Sequence, residues 1–170
     1  MLRRVAAASV FPVTLPEAKL HCRVDGSAED ALLNDLIATA NEVIGEDTGL
    51  VLGVETWALT LTDAHGVVHL PKAPVSELVS VEAGGDELPG FSLTMVDGDA
   101  AFVAGPWPEG EVVVTFKAGG AVPLALKRAM LLLVAYWYEH REGASDTQVR
   151  EIPYAVESLV ARHRRGWVKA

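Results

Sequence analysis

The chain has 170 residues, half of them apolar, a formal charge of −9 and one cysteine. That length and apolar content suit one domain with a real core, or one domain carrying a small insertion, and exclude a disordered chain. The charge argues against unaided wrapping of nucleic acid. A lone Cys22 rules out an internal disulfide or a CxxC motif, and the longest apolar run falls well short of the ~20 residues a spanning helix needs.

The reading is therefore a soluble chain, with no membrane contact, at home in a reducing cytoplasm. Its charge is uneven. Arg162, Arg164, Arg165 and Lys169 lie within 162–169 without an acid. The remainder thus carries −13 (−9 minus 4).

In chain order, Met1–Val13 holds two arginines and a short apolar run, a faint imitation of a signal peptide. Pro12 interrupts it and helix-start chemistry follows, so it is read as no signal. Thr14-Leu-Pro-Glu17 has capping-box spacing, with Pro16 in the first turn where its missing N–H is no loss. A short helix over 15–22 follows, and Asp25-Gly26 turns the chain. Ser27-Ala-Glu-Asp30 is a second start signal. Leu32, Leu33, Leu36, Ile37, Ala40, Val43 and Ile44 then recur at helical spacing up to Gly49, which predicts a helix over 28–47.

The pattern then changes period. Thr56–Thr62 alternates, with Trp57, Leu59 and Leu61 on one face, as a half-buried strand does. Further strand-like runs cover 67–70, 78–83, 91–96, 101–103 and 112–117, separated by Pro- and Gly-rich turns. Ala118-Gly-Gly-Ala-Val-Pro123 resets the chain, and a helix is predicted over 123–142. Gly143–Asp146 breaks it, and Pro153 opens a last helix over 153–165. The class is α+β: a helical body of about four helices, 1–53 and 119–170, with an inserted antiparallel β-sheet or small barrel over 54–118.

Chemistry finds little footing. Glu139, His140 and Glu142 lack the i, i+4 spacing of a helical metal pair. His65 and His69 have no third ligand at convincing spacing. His21 and Cys22 are neighbours about 100° apart on a helix, so they make no thiol–imidazole couple, and Cys22 reads as a core residue. No Gly-rich loop has phosphate-binding spacing, and no Ser, His and acid set stands out. No cofactor or metal is expected, and no catalysis.

Three features ask for another explanation. The helix over 28–47 carries Glu29, Asp30, Asp35, Glu42, Glu46 and Asp47 and no base, either as a solvated face or as a surface that must not stick to passing DNA. Arg162, Arg164 and Arg165 with Trp167 could hold phosphate by charge and stacking, or dock into an acidic partner; the acidic remainder favours the partner. Finally, 129–138 is apolar or aromatic throughout, and a helix apolar on all sides is buried on all sides. One subunit of this size covers about two-thirds of its circumference. The remainder should be covered by the inserted sheet or by a neighbouring subunit, and Leu131, Leu132, Val134, Tyr136, Trp137 and Tyr138 are expected in subunit packing.

An ordered series of motifs now resembles a known family. It comprises Leu15-Pro-Glu-Ala-Lys-Leu-His-Cys-Arg-Val-Asp25, Glu29-Asp30-Ala-Leu-Leu33, Leu36-Ile37-Ala-Thr-Ala40 and Thr48-Gly49. It continues with the strand around Trp57, Leu70-Pro-Lys-Ala-Pro-Val75, Trp107-Pro108 and Val112-Val-Val-Thr-Phe-Lys-Ala-Gly119. Last come Val122-Pro123, Leu126-Lys-Arg-Ala-Met130 and Tyr136-Trp-Tyr-Glu-His-Arg141. Together they resemble the head–tail connector (adaptor) proteins of tailed bacteriophages, and their counterparts in prophages and gene transfer agents. Cys22, where Leu is common, is a departure.

The resemblance implies a virion component of the particle neck, assembled in the bacterial cytoplasm. Its copies would form a homo-oligomeric ring, twelve-fold in expectation, beneath the portal protein. The ring would continue the DNA channel and offer a surface to the next neck or tail component, a stopper or tail terminator. DNA would pass without specific binding, with Glu29, Asp30, Asp35 and Glu42 facing the channel. Arg162, Arg164, Arg165 and Trp167 would reach the portal. The alternative, from another class, is a small nucleic-acid-binding accessory protein using the basic C-terminal segment.

Overall fold

The computed structural model describes residues 1–96, 100–120, 122–140 and 153–165. Four helices and eight strands follow in the order β1 (Leu2–Ala6), α1 (Leu15–Cys22), α2 (Asp30–Thr48), β2 (Glu55–Thr62), β3 (Val67–Leu70), β4 (Val75–Ala83), β5 (Asp86–Glu87), β6 (Ser92–Val96), β7 (Ala100–Ala104), β8 (Glu111–Ala118), α3 (Leu124–Glu139) and α4 (Tyr154–Val160). The chain divides into a sheet unit, Met1–Val10 with Val51–Ala121, and a helical unit, Phe11–Leu50 with Val122–Ala170. The expected α+β class is what folds, and the first ten residues group with the strands.

In the sheet unit β8 is the organising strand. Burial alternates strictly along EVVVTFKA, with Val112, Val114, Phe116 and Ala118 on one face and fully buried. It lies between β2 and β4 in a five-stranded sheet of order β1-β2-β8-β4-β5, and β3-β7-β6 forms a second, three-stranded sheet. Every pairing is antiparallel. The larger sheet ends at β1 and β5 and does not close, so the small-barrel option falls away among the described residues.

Leu59, Leu70, Val81 and Val103 complete the apolar core around β8, with Trp57, Leu61 and Trp107 packed against it. The Trp107 indole N–H donates to Gly66 O at 2.9 Å, and its ring meets Phe91 edge-on at 4.7 Å. After β8 the chain must pass very close to Gly53. Gly119 has φ +100°, and a Cβ there would lie 2.1 Å from Gly53 O. Only glycine fits.

In the helical unit, α1 begins at the expected capping box. The Glu17 carboxylate accepts from the Thr14 backbone N–H and from the Thr14 hydroxyl, each at 2.9 Å. On α2 the line Leu33, Ile37, Ala40, Ile44 is buried at 2 % exposure or less, while Leu32, Leu36 and Val43 flank it half-buried. Gly49, at φ +71°, ends α2 in the left-handed conformation and donates its N–H to Gly45 O at 2.9 Å. Leu126, Ala129, Met130, Leu133 and Val134 of α3, with Val156 and Val160 of α4, fill the other side of this core.

Two sequence expectations shift. α3 stops at Glu139, so the expected end at 142 is not reached among the described residues. The last helix ends at Val160 and gives way to a 3₁₀ turn, Ala161–His163.

Candidate assembly surfaces

The acids of α2 separate into two groups. Asp30 forms an ion pair with Lys19 at 2.6 Å, and Glu29 accepts a hydrogen bond from the Tyr138 hydroxyl. Asp35, Glu42 and Glu46 are exposed, as are Ala31, Asn34 and Thr39 beside them. Helical spacing puts Asp35, Thr39, Glu42 and Glu46 along one flank, a negative stripe with no base on its own helix. The same geometry leaves Asn41 on the buried side, where its amide oxygen has no hydrogen-bond partner among the described residues.

The basic end is partly engaged within its own unit. The Arg164 guanidinium grips Asp47 through both carboxylate oxygens, at 2.9 and 3.0 Å, and reaches Glu157 at 2.7 Å. Such a planar fork matches a carboxylate well. The Arg165 backbone N–H donates to Thr48 O at 2.9 Å, so the chain end is stitched to the C-terminus of α2. Arg162 remains exposed and Arg165 is half-buried. Trp167 and Lys169 lie outside the described residues.

The apolar helix that suggested packing between subunits is α3. Val134 is fully buried. Leu131, Leu132, Tyr136, Trp137 and Tyr138 are only half-buried. The Trp137 indole N–H is buried without a partner among the described residues. Tyr136 stacks at 4.4 Å, tilted, on His140, whose backbone N–H caps the helix by donating to Tyr136 O. This seam of large side chains is incompletely covered within the unit.

α1 adds a surface that sequence reasoning did not single out. Leu15, Pro16, Leu20 and Val24 line an open depression edged by Lys19, Arg23, Asp25 and Asp30. Leu20 is 83 % exposed. The helix is held by Glu17, which pairs with Lys127 of α3 at 2.6 Å. That ammonium, followed by the two Thr14 donors, holds the Glu17 carboxyl down at about pKa 2.

The candidates for chemistry stay apart. Burial lowers the His21 pKa, with Arg128 adding to it, and burial raises the Cys22 thiol with help from Glu139. Cys22 is half-buried, not in the core, so the expectation of a core cysteine is corrected. A thiol held in its neutral form is a poor nucleophile. His69 packs against Phe102, and His65 turns to Asp63 O. Among the described residues no three His, Cys, Asp or Glu side chains gather as metal ligands, and no helix is long and apolar enough to cross a membrane.

What the fold presents is a set of charged and apolar contact surfaces on a two-unit α+β scaffold, the equipment of a structural subunit. The family model for head completion proteins matches residues 13–166, and the chain belongs to that family.

No curated protein matches the sequence significantly. Among solved structures, the fold is similar to a chain in the neck of an empty gene transfer agent particle computed with C6 symmetry. That match has a TM-score of 0.77 and 25 % identity, over 99 % of this chain and 97 % of that one. A chain in the virion of the native gene transfer agent particle matches at TM-score 0.76, with the same identity and coverage. A chain in the native neck computed with C12 symmetry matches at 0.72, again at 25 % identity, 99 % and 97 %.

Proposed function

We propose that the chain is a head–tail adaptor of a phage-like particle. Its copies form a ring beneath the portal, continue the DNA channel and join the head to the next neck or tail component, a stopper or tail terminator. The observation that carries this reading is the end-to-end likeness, over 99 % of the chain, to neck subunits in particles computed with six- and twelve-fold symmetry. The ring is taken as twelve-fold, in keeping with the neck computed with C12 symmetry.

The exposed stripe of Asp35, Glu42 and Glu46 supports a channel role, because like charge keeps passing DNA mobile and unbound. Glu29 and Asp30 would work differently from those acids, holding the start of α2 through Tyr138 and Lys19. Portal contact would fall to Arg162 and the residues after Arg165, Trp167 among them, since Arg164 is engaged with Asp47 and Glu157. Leu131, Leu132, Tyr136, Trp137 and Tyr138 would supply apolar area between subunits. The reading needs no catalytic residue and no cofactor. The engagement of Arg164 also weakens the nucleic-acid-binding alternative, which depends on a free basic cluster.

The test is native mass and negative-stain imaging across a concentration series, alone and with the particle's portal ring. The expected image is a closed ring with a channel wide enough for duplex DNA, formed in solution or on the portal. A protein that stays monomeric alone and also fails to bind the portal rejects the proposal. Truncation after Arg165 with Arg162→Glu should weaken portal binding while leaving the far-ultraviolet circular dichroism unchanged.

A further inference from the structure

The five-stranded sheet has two open ends of opposite charge. At one end, β1 presents Arg3 and Arg4, both exposed. Arg4 shares Glu55 at 3.3 Å, whereas Arg3 has no ion-pair partner among the described residues. At the other end, β5 presents Asp86 and Glu87, both exposed. Glu82 of β4 sits directly opposite Glu87 in the register. Like charges placed across a strand pair oppose each other, and the Ser80 hydroxyl on Glu82, at 2.7 Å, offsets this only in part. A cation from outside would relieve it.

The backbone at both ends is open as well. Met1 exchanges two hydrogen bonds with Thr60, so alternation turns the N–H and C=O of Leu2 and Arg4 away from β2. The β4–β5 hairpin turns through Gly84 and Gly85, both at positive φ, and Leu88 N–H donates to Val81 O. The same alternation directs the N–H and C=O of Glu87 outward.

Edge strands usually carry charge to prevent pairing with another chain. Here the signs differ between the ends, so β1 against β1 and β5 against β5 are repelled while β1 against β5 is attracted. That selects a head-to-tail contact. Repeated around an axis, a head-to-tail contact closes a ring.

We propose that β1 of one copy docks beside the β4–β5 hairpin of the next, with Arg3 and Arg4 facing Glu82, Asp86 and Glu87, and that this contact sets the order of subunits in the ring. The proposal rests on the adaptor-ring reading and names one of its interfaces.

The experiment uses full-length protein carrying Cys22→Ser. An Arg3→Cys copy is mixed with a Glu87→Cys copy, oxidised gently at low salt, and compared with each copy alone. The mixed disulfide should form about threefold faster than either homotypic one, the preference expected from the charges that remain, Arg4 against Glu82 and Asp86. Half-molar salt should remove the preference. Equal rates for mixed and homotypic pairs overturn the proposal, whether or not the free protein assembles.

A second measurement separates this proposal from the reading it rests on. The charge reversal Asp86→Lys with Glu87→Lys should weaken assembly, on the portal or in solution, and adding Arg3→Glu with Arg4→Glu should restore it. Rings that persist in the singly reversed protein leave the adaptor reading intact and reject this interface. A fast mixed disulfide in a protein that forms no ring in solution and does not bind the portal retains the interface and rejects the adaptor reading.

Discussion

In the sheet unit, cohesion is apolar: Val112, Val114, Phe116 and Ala118 lie on one face of the central strand with no exposure at all. Its side-chain ion pairs, Arg4–Glu55 and Lys117–Glu77, join neighbouring strands at the surface. The helical unit has an apolar core too, but there the ion pairs tie separate helices and the chain end to one another. Lys127 meets Glu17, Lys19 meets Asp30, and Arg164 meets Asp47. The difference teaches where solution conditions will act. Burial of hydrocarbon is indifferent to acid and strengthened by salt, whereas exposed ion pairs lose strength in both.

The sharpest break comes from the sheet core. Phe116→Ala removes a fully buried ring from the middle strand, and should destabilise the sheet unit by about 3–5 kcal/mol. Hydrogen exchange should show protection lost across β2, β4 and β8 together. Leu133→Ala is the counterpart in α3, equally buried, and should remove about 2–5 kcal/mol from the helical unit. If either variant melts both units to the same extent at all denaturant concentrations, the two-unit description fails.

Next is Gly119→Ala. The backbone there has φ +100°, and the new methyl would meet Gly53 O at 2.1 Å, so a loss of about 2–4 kcal/mol is expected. Gly26→Ala also has positive φ but open space around it, and should cost about 1 kcal/mol. Thermal melts of the two should separate clash from conformational strain.

How much of this was legible in the sequence depends on the range of the interaction. The capping box at Thr14, the period of Leu33, Ile37, Ala40 and Ile44, and the alternation of Thr56–Thr62 in β2 are local, and each states its element directly. β1 was missed because Leu2-Arg-Arg-Val-Ala6 does not alternate; an exposed edge strand takes its register from β2. β5 is a two-residue strand set by the Gly84-Gly85 turn, too short for any period. Arg164 was legible as a base, not as a partner of Asp47, because 117 residues separate them. The same holds for Glu17 and Lys127, 110 apart. The greasiness of 129–138 was readable, but not the division between the fully buried Val134 and the half-buried Tyr136 and Trp137.

Acid should reveal the charge ties at smaller amplitude. Folding lowers the Glu17 pKa from 4.5 to about 2. A group depressed in this way stabilises the fold fully above its unfolded value and loses that contribution as pH falls through about 2. The carboxylate is 40 % exposed and its partner Lys127 30 %, so screening reduces the effect to about 1 kcal/mol. Glu17→Gln should therefore lower stability near pH 7 and flatten its decline between pH 4.5 and 2, with α1 exchanging first. The sheet-unit signals should decline alike in both proteins over that range.

Smallest is the clamp at the chain end. Arg164 pairs with Asp47 and Glu157 and stays charged at every accessible pH. The Arg164 and Glu157 side chains are each 41 % exposed, so salt should mimic the mutation. Arg164→Ala should shift the melting temperature less than Glu17→Gln does, yet speed hydrogen exchange in α4 and the 3₁₀ turn. High salt should bring the unmutated protein to the same exchange rate. Rates that stay different in high salt would mean that Arg164 acts through packing of its stem, making the helical unit less electrostatic than its ion pairs suggest.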